Sequence, residues 1–94
     1  MPVDLNAGEG CNYAYINTAT TTQVKTGGGF LHAITVNTTA AGTIGLIDNT
    51  AGTTVNIGSL AASAAVGTYT YNLAFQAGLR IVTAAASDIT VSYR

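Results

Sequence analysis

Residues 69–93 alternate apolar and polar side chains with a period of two, and this pattern constrains the fold more than any other part of the sequence. The apolar positions are Tyr69, Tyr71, Leu73, Phe75, Leu79, Ile81, Ile89, Val91 and Tyr93. The polar positions between them include Thr70, Asn72, Arg80, Thr90 and Ser92. Such alternation is typical of strands with one buried and one solvated face. We predict three consecutive strands, whose apolar face must be covered by a second layer from the rest of the chain.

Five further strand-like runs precede this segment. They are residues 12–17, 20–26, 30–37, 43–48 and 53–59. The third run is apolar on both faces at its start, which is typical of a central strand. About eight strands at intervals of roughly 8–12 residues predict an all-β fold, a β-sandwich of jelly-roll-like form.

Turn-forming residues separate these runs. Residues 38–42 and 48–52 are short clusters of small and polar residues that predict two hairpins, with Gly42 and Gly52 at positive φ. The alanine-rich residues 60–66 predict a connection between the sheets that can contain one helical turn capped by Ser59. We expect Gly78 and residues 84–87 to turn the closing strands into one another.

The chain of 94 residues is long enough for one domain, which we place at residues 12–94 after a short N-terminal arm, residues 1–11. The arm lacks periodicity, and two interpretations stay open: a frayed end, or a strap that orders against a neighbouring subunit. Its start lacks a basic region followed by an apolar stretch, so we expect no classical secretory signal. No apolar run approaches the ~20 residues of a membrane span, and we expect no membrane partner.

Charged residues make up only 7% of the chain and the net charge is −1. Soluble domains usually carry about 25% charged residues. No basic patch is available for nucleic acid, so we expect no nucleic-acid partner. A surface poor in charge is weakly protected against association, and small chains often gain stability by oligomerising. We therefore expect a homo-oligomer, while a single small domain kept soluble by Thr and Asn is the alternative.

Four short motifs follow one another in a distinctive order. They are Phe-Leu-His-Ala-Ile-Thr-Val-Asn, Gly-Thr-Ile-Gly-Leu-Ile-Asp-Asn, Phe-Gln-Ala-Gly-Leu-Arg-Ile-Val-Thr and Ser-Asp-Ile-Thr-Val-Ser-Tyr-Arg. Together they resemble small virion proteins of tailed bacteriophages that serve in capsid decoration, head fibres or tails. The resemblance spans residues 13–94, and only the order of the motifs is diagnostic. It implies a β-sandwich or jelly roll, a symmetric homo-oligomer and a position on the particle, and it carries no catalytic or binding residues.

Reactive side chains are sparse. His32 is the only histidine and falls in phase with Phe30, Ile34 and Val36, so we expect a packed or interface residue. At a symmetry axis, copies of His32 would make oligomer stability depend on pH. Cys11 is the only cysteine, which excludes an intramolecular disulfide, and we expect an inert thiol rather than a thiolate–imidazole pair with His32.

The four acids are scattered, and those near strand ends, Asp48 and Asp88, are expected to accept hydrogen bonds from backbone donors. The glycines 27–29 lack the following Lys-Ser or Lys-Thr of a phosphate-binding loop. We therefore predict no catalytic, cofactor-binding or metal-binding residues, no cofactor and no enzyme activity.

The tyrosines leave two interpretations open. They are Tyr13, Tyr15, Tyr69, Tyr71 and Tyr93. Because they alternate with aliphatic neighbours, we expect them mostly in the core or at a subunit interface, and the alternative is an aromatic platform for a sugar or a base.

The resemblance to phage virion proteins implies a virion structural protein, and we expect it to act as a homotrimer. Its role would be capsid decoration (cement), in which protein–protein contacts with the major capsid protein or other virion subunits stabilise the phage head. It would be located in the virion, assembled in the host cytoplasm. The alternative is a receptor- or carbohydrate-binding module of a head fibre or tail.

Overall fold

The computed structural model describes residues 11–52 and 54–94. Within these ranges the chain forms eight β-strands in two antiparallel sheets. The strands are β1 (Asn12–Ile16), β2 (Thr20–Thr26), β3 (Gly29–Thr38), β4 (Ile44–Asp48), β5 (Asn56–Leu60), β6 (Gly67–Phe75), β7 (Gly78–Thr83) and β8 (Asp88–Tyr93). The all-β prediction is confirmed. The arm predicted at residues 1–11 lies outside the described residues except for Cys11, which is exposed.

The strand order is that of a jelly roll. Sheet I has the order β1-β8-β3-β6, and sheet II has the order β2-β7-β4-β5. The pairs β1–β8, β2–β7, β3–β6 and β4–β5 are those of one long antiparallel ribbon folded on itself. The pairs β3–β8 and β4–β7 then close each sheet. Eight strands wrapped in this way form the two Greek keys of the jelly-roll sandwich, as the sequence predicted.

The core lies between the two sheets. Its largest fully buried side chains come from both layers, and they are Phe75, Leu31, Ile34, Ile44, Leu46, Ile47, Leu79, Ile81, Ile89, Val36 and Val91. Full burial of one such side chain contributes about 1.5–3 kcal/mol to folding. β3 is a central strand of sheet I, as its doubly apolar start predicted.

A bulge in β3 corrects the predicted position of His32. Leu31 and Ile34 are both buried in the core, although they are three positions apart, an odd spacing that would place them on opposite faces of a regular strand. Between Leu31 and Ala33, β3 contains one residue more than the paired segment of β8. This extra residue, His32, shifts the alternation of the strand by one position, so that Leu31 and Ile34 both face the core. The predicted alignment of His32 with Ile34 is therefore wrong, because the bulge leaves the imidazole exposed to solvent.

One of the two predicted hairpins is confirmed. β4 and β5 pair directly, and Gly52 in their connection has φ +69°. The hairpin predicted at residues 38–42 is wrong, because β3 and β4 belong to different sheets. Gly42 does not adopt positive φ, and its lack of a side chain instead allows close packing against Ala84 and Ala85.

The closing strands divide between the layers. β7 joins sheet II, while β6 and β8 belong to sheet I, so the prediction that Gly78 turns two adjacent strands is wrong. Residues 61–66 do cross between the sheets, but they form a β-turn rather than a helical turn. Ala64 donates its N–H to the carbonyl of Ala61 at 3.2 Å, and Ser63 has φ +59°, outside the helical region. Ser59 lies within β5 and caps no helix.

Candidate functional site: the outer face of sheet I

The outer face of sheet I is polar, and residues of all four strands contribute to it. Directly paired residues of antiparallel strands point to the same side. One outward row therefore runs across the sheet through Tyr15, Thr90, Thr35 and Thr68, because each is paired with the next. We call the polar outward side chains of the four strands the tyrosine–threonine face, and they are Tyr13, Tyr15, His32, Thr35, Asn37, Thr68, Thr70, Asn72, Asp88, Thr90 and Ser92.

A hydrogen-bonded cluster occupies one end of this face. The phenol of Tyr15 donates to Asp88 Oδ2 at 2.7 Å. The amide of Asn37 donates to Asp88 Oδ1 and to Thr90 Oγ1, both at 3.2 Å. The cluster joins the three neighbouring strands β1, β8 and β3, so each side chain is positioned by the sheet rather than by a loop.

The Asn37 side chain reaches this cluster through a second irregularity in β3. The register against β8 shifts between Val36 and Thr38, which makes Asn37 the additional residue. The carboxylate of Asp88 accepts hydrogen bonds from side chains. The prediction that it accepts them from backbone donors is therefore wrong. The sequence carries no signal for this cluster, since Tyr15 and Asp88 are 73 residues apart and meet only through the β1–β8 pairing.

The Tyr15 phenol keeps its proton at neutral pH. Its hydrogen bond to Asp88, together with partial desolvation and the charge of that carboxylate, raises the pKa of Tyr15 above its ordinary value of 10.0. The hydroxyl group therefore remains a hydrogen-bond donor, and the ring is held in place while 55% exposed. The neighbouring Tyr13 is 73% exposed.

The structure divides the five tyrosines into two groups. Tyr69, Tyr71 and Tyr93 are partly buried and pack against the core. Burial raises the pKa of Tyr71. Tyr13 and Tyr15 face solvent on the edge strand β1. The prediction of core tyrosines therefore holds for three of them, and an exposed aromatic surface is formed by the other two.

Two further polar contacts of the tyrosine–threonine face join β3 to β6. Thr35 and Thr68 lie 3.1 Å apart at their hydroxyl oxygens. His32 Nδ1 lies 3.1 Å from Asn72 Oδ1, at the point where both strands are irregular and Asn72 has φ +53°. The hydrogen-bond partner of the His32 ring is thus the side-chain amide of Asn72. His32 lies on β3 and Cys11 precedes β1, and β8 lies between these two strands.

Two charged residues, Asp88 and Arg94, lie at opposite ends of β8. Asp88 begins β8, and Arg94 follows its last residue. The guanidinium of Arg94 lies over the ring of Phe30, 5.3 Å from its centroid. Arg94 lies six positions after Asp88, about 20 Å along an extended chain. The cluster around Asp88 is therefore locally negative.

In residues 11–52 and 54–94, no group of three or more His, Cys, Asp or Glu side chains could hold a metal ion, and no enclosed ligand cavity is present. No helical segment in this part of the chain has the length and hydropathy of a membrane span. No known protein family, curated protein or solved structure matches the chain.

Proposed function

We propose that this protein decorates the capsid of a tailed bacteriophage, as a homotrimeric cement protein that contacts the major capsid protein or other virion subunits. The observation that carries the proposal is the jelly-roll strand order of the described chain. Viral capsid domains are among the established users of this architecture. The order of the four sequence motifs adds the resemblance to small phage virion proteins.

The proposed mechanism is burial of protein surface. A stable protein–protein interface hides roughly 1,200–2,000 Å² in total. Interface centres are depleted in charged residues, because each buried charge must be desolvated. With 7% charged residues, this chain offers a surface that can be covered at little desolvation cost. Repetition of such contacts around a shell would brace it.

The edge strand β6 supports self-association. It is nine residues long, and it contains no proline and no charged residue. Soluble proteins commonly use those residues to prevent edge strands from pairing with other chains. Leu73 on this strand is 37% exposed, and Val66 just before it is 66% exposed. The irregularity at Asn72 interrupts pairing at one point and leaves the first part of the edge regular.

The native mass of the purified protein is the first test. Light scattering over a dilution series should give the mass of a trimer at low concentration. Leu73→Lys places a charge on the β6 edge and should lower the mass, whereas Val55→Lys is the matched control at a 58% exposed apolar residue beside sheet II. A trimer unaffected by Leu73→Lys would place the subunit contact elsewhere.

Binding to phage heads tests the role itself. Purified protein is mixed with expanded heads that lack decoration and is then pelleted with them. Saturable binding at a stoichiometry set by the capsid lattice is expected, together with greater resistance of the heads to heat. A truncation that lacks residues 1–10 tests the strap interpretation of the arm. If the full chain does not pellet with any expanded head, the capsid proposal fails.

A further inference from the structure

We infer that the tyrosine–threonine face binds a neutral oligosaccharide, in a site centred on Tyr15, Asp88 and Asn37 and extended by Tyr13. This inference goes beyond the capsid role and does not depend on it. Three features of the face carry it: two exposed aromatic rings, a prearranged set of acceptors and donors, and the sign of the local charge.

The aromatic part of the site lies on β1. Tyr13 and Tyr15 are two residues apart on one strand, so they point to the same side about 6.7 Å from each other. Their exposures of 73% and 55% mean that neither ring is used in the core. A sugar ring presents a face of C–H groups, which packs on an aromatic ring while the hydroxyl groups at its rim remain free to hydrogen-bond. Two adjacent rings therefore suit consecutive sugar units.

The polar part of the site lies beside Tyr15. Sugar hydroxyl groups both donate and accept, so they need acceptors and donors side by side. The Asp88 carboxylate has about four lone-pair sites and accepts one hydrogen bond at each oxygen within the cluster, which leaves acceptor capacity at both. Thr90 Oγ1 accepts from Asn37 and still carries its own proton to donate. Cross-strand hydrogen bonds hold these groups in advance, which lowers the entropy cost of binding.

The local charge selects the class of ligand. Asp88 is the charged side chain beside Tyr15, and Arg94 lies about 20 Å from it along β8, beyond Ser92, the partner of Tyr13. An acidic sugar or a nucleic acid placed on Tyr15 would meet a carboxylate of its own sign. The outward row from Tyr15 to Thr68 crosses four strands, about 14 Å, and it offers threonine hydroxyls over its length. The site therefore fits a short neutral oligosaccharide rather than an acidic one.

A glycan array probed with the isolated protein tests this inference. The array carries neutral oligosaccharides of glucose, galactose, mannose and N-acetylglucosamine, with sialylated and sulfated counterparts. We expect binding to at least one neutral series and weaker binding to its acidic counterparts. Binding to no neutral glycan at millimolar concentration, or a preference for acidic glycans, would overturn the inference.

Variants then locate the site on the face. With the best neutral glycan as the titrant, Tyr13→Ala and Asp88→Asn should each weaken binding tenfold or more by calorimetry, and Tyr15→Phe should weaken it less because the ring remains. Asp48→Asn removes an acid outside the face, and Val55→Ala shortens an exposed apolar side chain, so both controls should bind like the parent. Equal binding by Tyr13→Ala and the parent would reject the site. Because no phage head is present, this result is independent of the capsid-binding test.

Discussion

The carboxylate of Asp48 accepts a hydrogen bond from the backbone nitrogen of Ala77 at 2.8 Å, which joins the end of β4 to the connection between β6 and β7. The same carboxylate accepts from the backbone nitrogens of Gln76 at 2.9 Å and Gly78 at 3.3 Å. One side chain therefore satisfies three consecutive donors where the chain crosses from sheet I to sheet II. The sequence prediction that Asp48 accepts from the backbone is confirmed.

These hydrogen bonds make stability depend on acidity. The backbone donors of Gln76 and Ala77 lower the pKa of Asp48 below its ordinary value of 3.8. A pKa that is lower in the folded state adds stability above the unfolded value, and this contribution is lost as the pH falls through the folded value. We expect Asp48→Asn to lower the Tm at pH 7, with a difference from the parent that shrinks below about pH 4.

Thermal unfolding followed by circular dichroism between pH 2 and pH 7 checks this expectation. Asp88→Asn removes an acid that contacts no backbone donor of residues 76–78, so it is the control for the loss of a carboxylate elsewhere in the fold. A constant difference in Tm between the parent and Asp48→Asn across this range would contradict the prediction.

Gly42→Ala should destabilise the protein. A Cβ atom at this position would lie 2.6 Å from the backbone nitrogen of Ala85 and 2.9 Å from the carbonyl carbon of Ala84. Backbone atoms cannot rotate away, so the loop must shift, and we expect a loss of about 1–3 kcal/mol. Gly45→Ala is the matched control, because its Cβ would meet Val82 at an ordinary 3.7 Å. Chemical denaturation measures both, and equal stabilities of the two variants would reject the explanation.

Thr83→Val should cost about 1–3 kcal/mol although it keeps the shape of the side chain. Thr83 is only 3% exposed, and its hydroxyl lies 2.6 Å from the carbonyl oxygen of Thr18 and accepts from the nitrogen of Thr20 at 3.0 Å. Valine leaves both backbone groups without this partner. Thr21→Val, at an exposed position of the same sheet, should change the free energy of unfolding by less than about 0.5 kcal/mol. Urea unfolding of the parent and both variants measures these changes in the free energy of unfolding. The prediction is wrong if Thr83→Val loses no more stability than Thr21→Val.

Gln23→Ala should loosen the connection after β4. The amide of Gln23 donates to the carbonyl oxygen of Asn49 at 3.0 Å, and its oxygen accepts from Arg80 Nη1 at 2.8 Å. Arg80 Nη1 also donates to the carbonyl oxygen of Thr50 at 3.2 Å, so the two side chains hold this connection against the sheet. We expect faster amide hydrogen exchange at residues 49–52, and unchanged exchange in Thr26→Ala, an exposed residue of the same strand. Parental exchange rates in Gln23→Ala would contradict the prediction.

Local sequence signals predicted the strands well and their partners poorly. The period-two pattern of residues 69–93 corresponds to β6, β7 and β8, and the turn at residues 48–52 forms the predicted hairpin. The hairpin expected at residues 38–42 is a crossover between sheets. A short Gly-containing connection is compatible with both geometries, because the choice depends on which strands elsewhere in the chain occupy the neighbouring edge.

The sequence by itself determined the all-β sandwich and its alternating core, because burial of an apolar face depends on a periodicity that any strand reveals locally. Only the tertiary structure decided the tyrosine–threonine face. The extra residues of β3 at His32 and Asn37 change which side each residue faces, and a bulge leaves no mark in hydrophobic periodicity alone. Tyr15 and Asp88 meet because β8 pairs with β1 at the far end of the chain, a long-range choice made by the packing of the whole ribbon.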